Sequence, residues 1–357
     1  MSTESPAPLR IALVGPVAQS IPPERSGSVE TVTAMLADGL VSRGHAVTLF
    51  ATGSSQTRAE LQVVFKEGYH RDTDLWPWEL CELFNLAAAI EDAERFDVIH
   101  YQAEYHPISL PFTRLCPIPL LQTLHHAPSA TEVALWSRYD EAPFIAVSET
   151  QAELLRGLNV AGIVHHAVDP ELFTPGSAHE DALLFLGRFV EGKGVLEAID
   201  VARRSDRRLL LVAAETDYYR EAVASHVDGA QIRYLGEADQ ATKVELLQRA
   251  AALVYPVQRA ESFGLVLAEA MMCGTPVVAL GCGAVGELVD PECGMVCDDV
   301  PQMAEAVPAA IGLDRTRIRE RALERFGPDR MVREHEAVYR QLIETTATTA
   351  PTLSVPS

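Results

Sequence analysis

Residues 9–14, Leu-Arg-Ile-Ala-Leu-Val, end at Gly15-Pro16; a Pro- and Ser-containing loop, the segment 28–43 and the run Ala-Val-Thr-Leu-Phe-Ala at 46–51 follow. The first and last pieces are short apolar runs, the pattern of strands buried on both faces. Between them Val29, Val32, Leu36 and Leu40 recur at helical spacing, with Ser28 as the expected N-cap and Gly44 as the expected stop. This is one βαβ unit, and it recurs. A helix is expected near 79–94, strands at 96–101, 119–124 and 144–147, a helix from about 149 and a strand at 161–166. Short apolar strands alternating with helices make a parallel sheet covered on both faces.

The stretch Asp169 to Asp181, with Pro170, Pro175 and Gly176, breaks the rhythm and is the expected linker. Strands are then expected at 183–187, 209–213, 232–235, 253–256 and 276–280, and helices near 301–311, 315–325 and 328–345. The second half is therefore a second doubly wound α/β domain, and two such domains in series leave a cleft. The Thr-, Ala-, Pro- and Ser-rich tail 346–357 is expected to be disordered.

Length and composition agree with this division. The 357 residues exceed one core of ordinary size, 48% are apolar and 22% charged, and the chain is a globular protein. Fifty Asp and Glu against 29 Lys and Arg give a formal charge of -21, which disfavours nucleic acid and anionic membranes as partners. Any anion site must be local. No run approaches the roughly 18 apolar residues of a membrane span, residues 1–8 do not read as a signal peptide, and a cytoplasmic location is expected. Cys81, Cys116, Cys273, Cys282, Cys293 and Cys297 show no paired C-x-x-C spacing, so neither zinc nor a disulfide framework is expected. Only Lys66, Lys193 and Lys243 are lysines.

Two stretches carry chemistry. Gly187-Arg188-Phe189-Val190-Glu191-Gly192-Lys193-Gly194 follows the apolar run 183–186. Two cations five apart on a glycine-rich strand-to-helix turn suit a diphosphate, with Lys as a compact charge and Arg as a two-pronged donor. A surface turn with two solvated cations has the same spacing. The second stretch is Glu261-Ser262-Phe263-Gly264-Leu265-Val266-Leu267-Ala268-Glu269, just after Tyr255-Pro256. In a continuous helix its two carboxylates would stand about 12 Å apart, too far to share a metal or a proton, so separate roles are expected. The amides of Phe263, Gly264 and Leu265 would be unsatisfied first-turn donors. Two solvated acids on an exposed helix are the plain alternative.

Together, Gly187-Arg188 through Lys193-Gly194 and the later Glu-x7-Glu around Phe-Gly-Leu resemble the retaining nucleotide-sugar glycosyltransferases of family four. The likeness continues through 271–279, Met-Met-Cys-Gly-Thr-Pro-Val-Val-Ala, and Gly286-Glu287-Leu288-Val289. In the first half it includes Ser26-Gly27-Ser28, 43–47, Thr123-Leu124-His125-His126, 147–149 and 168–173. It covers roughly residues 9–345. The resemblance implies an α/β GT-B fold, two Rossmann-like doubly wound domains facing a cleft, with a C-terminal helix crossing back to the first domain. It divides the chain into an acceptor-binding domain (1–170), a nucleotide-sugar-binding domain (171–327), a crossover helix (328–345) and a tail.

The resemblance also implies roles. Arg188 and Lys193 would neutralise the donor diphosphate, amides near Gly264 and Leu265 its distal phosphate, Glu261 the sugar hydroxyls and Glu269 the ribose. Phe263, Ser26 and Gly27 would lie at the donor, His125 would meet the transferred sugar, and the backbone at Leu235 the base. Where the family commonly has a second glycine this chain has Ser26, Glu191-Gly192 replaces Pro-Glu, and Ala167 replaces Gly. The implied reaction is retaining, metal-independent transfer of a hexose from a UDP- or GDP-linked donor to a hydroxyl acceptor, with no cofactor. A soluble small molecule or saccharide is the expected acceptor. Trp76-Pro77-Trp78-Glu79 and Tyr101-Gln102-Ala103-Glu104-Tyr105-His106 put aromatics beside carboxylates, and Tyr101, Glu104 and His106 are the candidate acceptor contacts. Alternatives are a catalytically silent sugar-nucleotide-binding protein and a glycan phosphorylase-like enzyme. An NAD-dependent oxidoreductase would want Gly-x-Gly-x-x-Gly after the first strand, and Gly15 to Gly27 has no such spacing.

Overall fold

The computed structural model describes residues 7–24, 26–104, 106–176 and 180–349, and these fold as two compact units. The first contains a seven-stranded parallel sheet in the order β3-β2-β1-β4-β5-β6-β7. Its strands are β1 (Arg10–Val14), β2 (Ala46–Ala51), β3 (Glu60–Val63), β4 (Val98–Ala103), β5 (Leu120–Leu124), β6 (Phe144–Ala146) and β7 (Val160–Ile163). Helices α1 (Ser28–Ser42), α2 (Trp78–Glu91), α3 (Ala130–Trp136) and α4 (Glu149–Leu154) connect them. In register, Ile11 lies between Val47 and Val98, and the strand order reverses at β1 and β4. The loops that leave those two strands flank the switch point, where ligands of such sheets bind.

The second unit has six parallel strands in the order β10-β9-β8-β11-β12-β13. They are β8 (Ala182–Leu186), β9 (Arg208–Val212), β10 (Ile232–Tyr234), β11 (Ala252–Tyr255), β12 (Val277–Leu280) and β13 (Gly294–Cys297). Helices α5 (Val195–Arg204), α6 (Gln240–Arg249), α7 (Leu265–Met272), α8 (Val285–Leu288), α9 (Val300–Ile311) and α10 (Arg315–Phe326) join or follow them. Here the switch falls between β8 and β11.

The differences from expectation have local causes. Glu60–Val63 and Gly294–Cys297 are edge strands, partly exposed and without a long apolar run, so their pattern is weak. Helix α3 carries a readable capping box, in which the Ser129 hydroxyl accepts from the Glu132 N–H and Glu132 reaches back to Ser129. Gly27, not Ser28, caps α1, with Ser28 as the first helical residue, and the cap carries no side-chain hydrogen bond. Gly44 ends α1 as expected, in the left-handed region at φ +90.

The chain changes unit at Val164/His165, ahead of the expected boundary at 170. His165 through Phe173 are tied to the second unit: the Val168 N–H donates to Phe326 O at 2.9 Å and Arg319 donates to Pro170 O at 2.8 Å. Residues 148–151 also cluster with that unit, through the Glu287 carboxylate that accepts from the Glu149 N–H at 2.9 Å.

Helix α11 (Pro328–Thr349) begins in the second unit, and from Met331 its residues belong to the first. It outruns the expected end at 345, so residues 346–349 of the expected tail are helical; 350–357 lie outside the described residues. Glu336 meets Arg43 and Arg340 at 2.8 Å each. Burial alone would raise this carboxyl, but the hydrogen bonds from Arg340 and Arg43 outweigh it and bring it down to about 2. Val332 and Val338 pack where Gly39 and Gly162 lack side chains, at 2.4 and 2.6 Å from the positions a Cβ would take. Valine cannot swing aside. Gly39→Leu and Gly162→Leu are each expected to cost about 1–3 kcal/mol by overpacking, measured as a lower urea midpoint at unchanged slope.

Candidate active site

Three strand ends of the second unit build the site. After β8, Phe189 is fully buried and stacks on Phe185 and Tyr219 at 6.2 and 5.1 Å between ring centroids. This anchor fixes the middle of the loop and leaves Arg188 exposed on one side, with no ion pair among the described residues. On the other side a single 3-10 turn, Glu191–Lys193, leads to Gly194 at φ +74, the N-cap of α5. A Cβ on Gly194 would sit 2.0 Å from the carbonyl oxygen of Pro256. The Gln258 N–H donates to Gly192 O at 3.1 Å, so the loops after β8 and β11 meet backbone to backbone.

The loop after β12 closes the group. Gly283, at φ +60, lies so close that a Cβ there would be 2.5 Å from Glu261 N, and the Ala284 N–H donates to Glu261 O at 3.2 Å. Glu261 is thereby held from both sides, and its carboxylate pairs with the Lys193 ammonium. Tyr255, the last residue of β11, donates its hydroxyl to the same carboxylate; burial, then the Glu261 charge, raises the phenol well above its usual range. Sequence reading placed Tyr255 only at a strand end and missed this contact.

Helix α7 starts at Gly264, φ +86, where a Cβ would press on Leu267 and the Tyr255 hydroxyl at 3.1 Å. The Leu267 N–H returns to Gly264 O, while the N–H groups of Phe263, Gly264 and Leu265 find no acceptor among the described residues. They are the unsatisfied donors expected of a helix start. Phe263 is buried against His165, His166 and Phe326 and fixes where α7 begins.

Glu269 is 6% exposed and accepts from Lys243 of α6 at 2.6 Å; the Lys243 ammonium also lies 5.2 Å from the centroid of the Phe173 ring. The two motif carboxylates thus have separate partners, and two of the three lysines are those partners. Leu235 follows β10, the edge strand two places from β8; its N–H is taken by Leu211 O at 3.0 Å and its side chain is exposed.

The remaining candidates lie in the first unit. Ser26 is exposed and its carbonyl accepts from Gln19, and Gly27 has extended backbone at φ 172 with Gln19 and Glu30 packed where a Cβ would point. His125 follows β5, and its Nε2 lies 2.9 Å from Gln102 Oε1. Burial first, then neighbouring His100, His335 and His126, lower its pKa to about 3, so the ring is neutral. His126 instead meets Glu132 at 3.2 Å.

Tyr101 is a core residue, 2% exposed, which accounts for its apolar strand position and withdraws its ring from the surface. It lines a small pocket with Trp78, Glu82, Glu104 and His106, and the Trp78 and His106 rings stack at 6.2 Å. Tyr105 lies outside the described residues. Glu82 was not anticipated: it is buried, accepts from the Val17 N–H at 3.0 Å, and burial, helped by Glu104 and Glu30, raises its pKa to about 8. Asp72 and Asp74, an Asp-x-Asp pair, are exposed in a first-unit loop, where the Asp74 N–H caps onto Asp72 at 3.2 Å. Among the described residues no three His, Cys, Asp or Glu side chains gather as a metal site, and no helix is long and apolar enough to cross a membrane.

A family model described as Glycosyl transferases group 1 matches residues 180–312, and one described as Glycosyltransferase Family 4 matches residues 29–172. The chain belongs to these glycosyltransferases. The phosphatidyl-myo-inositol mannosyltransferase of Mycolicibacterium smegmatis is 28% identical over 87% of this chain and 86% of its own. D-inositol 3-phosphate glycosyltransferase 1 of Catenulispora acidiphila is 34% identical over 51% of each chain. The crystal structure of AviGT4, a glycosyltransferase involved in avilamycin A biosynthesis, matches with a TM-score of 0.73 at 26% identity, covering 95% of this chain and 99% of that one. The two parallel sheets are those of the GT-B fold.

Two outcomes are expected of this glycosyltransferase. Gly194→Ala puts a side chain into the Pro256 carbonyl and strains the backbone, so stability should drop by about 1–3 kcal/mol; a wild-type urea midpoint would show that the two loops do not abut. The Glu82 pKa is raised in the folded state, so folding binds a proton between the unfolded value and about 8. Its contribution is most favourable below the unfolded value and declines as pH rises to about 8. Glu82→Gln should therefore raise Tm relative to the parent by a few degrees at pH 8 and by less at pH 5.

Proposed function

We propose that the protein transfers a hexose, with retention of anomeric configuration, from a UDP- or GDP-linked donor to a hydroxyl acceptor. The observation that carries this reading is the Lys193–Glu261 pair, held where the loops after β8, β11 and β12 meet, beside exposed Arg188 and the first-turn amides of α7. Departure of a nucleoside diphosphate builds negative charge, and catalysis consists in stabilising that charge with both substrates in place. Arg188 and Lys193 supply two cations to the diphosphate, and the amides of Gly264 and Leu265 supply neutral donors to its distal phosphate. This donor set is proposed to work without a divalent ion.

The pairing adds a coupling. A donor diphosphate competes with Glu261 for Lys193, and the carboxylate it displaces becomes an acceptor for sugar hydroxyls. Glu269, oriented by Lys243, takes the ribose hydroxyls. His125, neutral, takes a hydroxyl of the transferred sugar. Retention follows if the acceptor approaches the face the diphosphate leaves and a donor phosphate oxygen receives its proton.

The acceptor is proposed to be a soluble polyol or saccharide bound by the first unit. Two relatives are named for inositol-bearing acceptors, one lipid-linked and one a free phosphate. A chain with formal charge -21 favours the soluble kind, because an anionic surface would repel it.

A donor panel tests the reading. UDP, GDP and dTDP are scored for thermal stabilisation, and each matching sugar nucleotide for slow hydrolysis and transfer, with and without chelator. One nucleotide should stabilise, its sugar should be hydrolysed, and the chelator should change neither. Lys193→Ala and Glu261→Ala should lower turnover by about 100-fold or more. Folded variants with full turnover would sink the site assignment, and binding without hydrolysis or transfer would favour a silent sugar-nucleotide-binding protein.

A further inference from the structure

Glu261 enters the proposed reaction without the partner it has in the free protein. Its carboxylate pairs with the Lys193 ammonium, and a donor diphosphate draws that ammonium away. A carboxylate that loses its cation can turn about its own side-chain bonds, and an acceptor that turns does not hold a sugar in one place. A second side chain prevents this.

Tyr255, at the end of β11, donates its hydroxyl to the Glu261 carboxylate. The direction is fixed, since an ionised carboxylate only accepts. The two holders differ in mobility. Lys193 carries its charge on a flexible four-carbon stem, and its side chain is 21% exposed. Tyr255 is 5% exposed, its strand position pairs it with Ala279 of β12, and its hydroxyl oxygen lies 3.1 Å from the position a Cβ on Gly264 would take. The hydroxyl thus sits beside the cap of α7 and reaches Glu261 from a ring that the core holds. The Cys282 thiol also faces this carboxylate, but burial, then the Glu261 charge, push it up, so it is neutral and brings no cation.

We propose that Tyr255 is a positioning residue for Glu261: its hydroxyl keeps the carboxylate aimed at the sugar after the diphosphate has taken Lys193. This rests on the proposed reading that Glu261 grips sugar hydroxyls. A neutral donor suits the task. It leaves the negative charge on Glu261, which still accepts from sugar O–H groups, whereas a second cation would itself be drawn to the diphosphate.

Tyr255→Phe keeps the ring and removes the hydroxyl alone. Thermal unfolding of the full chain reads the contact without any substrate. Tyr255→Phe should lower Tm by a few degrees in the parent, and should leave it unchanged or raise it in Glu261→Ala, where the hydroxyl has already lost its acceptor. Affinities for UDP and GDP, which Lys193 and the α7 amides bind, should stay within about twofold in Tyr255→Phe. Hydrolysis of UDP-glucose or GDP-mannose, whichever carries the nucleotide that the parent binds, should slow in kcat by about 10- to 100-fold, as misplacing a substrate contact does. An equal Tm loss in both backgrounds overturns the proposal. So does a loss of nucleotide affinity as large as the loss of kcat, because the hydroxyl then supports the start of α7 and not the carboxylate. The expected Tm coupling with unchanged kcat overturns the relevance to transfer. If the Tm coupling is as expected while the parent binds neither nucleotide and hydrolyses neither sugar nucleotide, the functional reading alone fails.

Discussion

The close approach of backbone to backbone at the carboxyl ends of β8, β11 and β12 is the constraint on which the second unit depends. Neighbouring parallel strands lie about 5 Å apart, so the loops that leave them meet only if side chains are missing at the contacts. Gly194 and Gly283 supply those gaps with positive φ, and the carbonyl of Pro256 and the backbone of Glu261 fill them. The Lys193–Glu261 pair is the result. Neither side chain reaches across by itself; the scaffold delivers both ends to one place.

The fold was legible because its strands are buried on both faces. Runs such as Leu-Leu-Phe-Leu and Ile-Ala-Leu-Val read as parallel strands without knowledge of their partners. Edge strands β3 and β13 are wetted and carry mixed composition, so they were silent. Of the site, the cations and carboxylates could be named from glycine spacing and family likeness, but their pairing could not. Nothing in the sequence joins Lys243 to Glu269 or Tyr255 to Glu261, because those contacts depend on strand order. The contact of the Tyr339 hydroxyl with His100 Nδ1 at 2.7 Å was hidden for the same reason: it links positions 239 residues apart.

The electrostatics are built in pairs. Exposed Arg–carboxylate contacts are abundant and each contributes little in water. The groups that matter are withdrawn: Glu269 and Glu336 are nearly buried and lie beside cations, whereas Glu82 has no adjacent cation among the described residues and holds its proton. A chain of net charge -21 thus keeps two of its three lysines for the places where a carboxylate must be aimed. An anionic product would also leave such a protein readily.

Helix α11 has a bearing on how the molecule is made. The first unit takes its last piece from the end of the chain, since Tyr339, Glu336 and the valines that fill the Gly39 and Gly162 gaps all lie beyond residue 330. During synthesis the amino-terminal sheet leaves the ribosome with His100 lacking its Tyr339 partner and those gaps open, while the whole second unit is still to come. Domains usually complete themselves in order of appearance. Here the first to appear is the last to close, and a ribosome that stalls before the final helix releases an unfinished amino-terminal half.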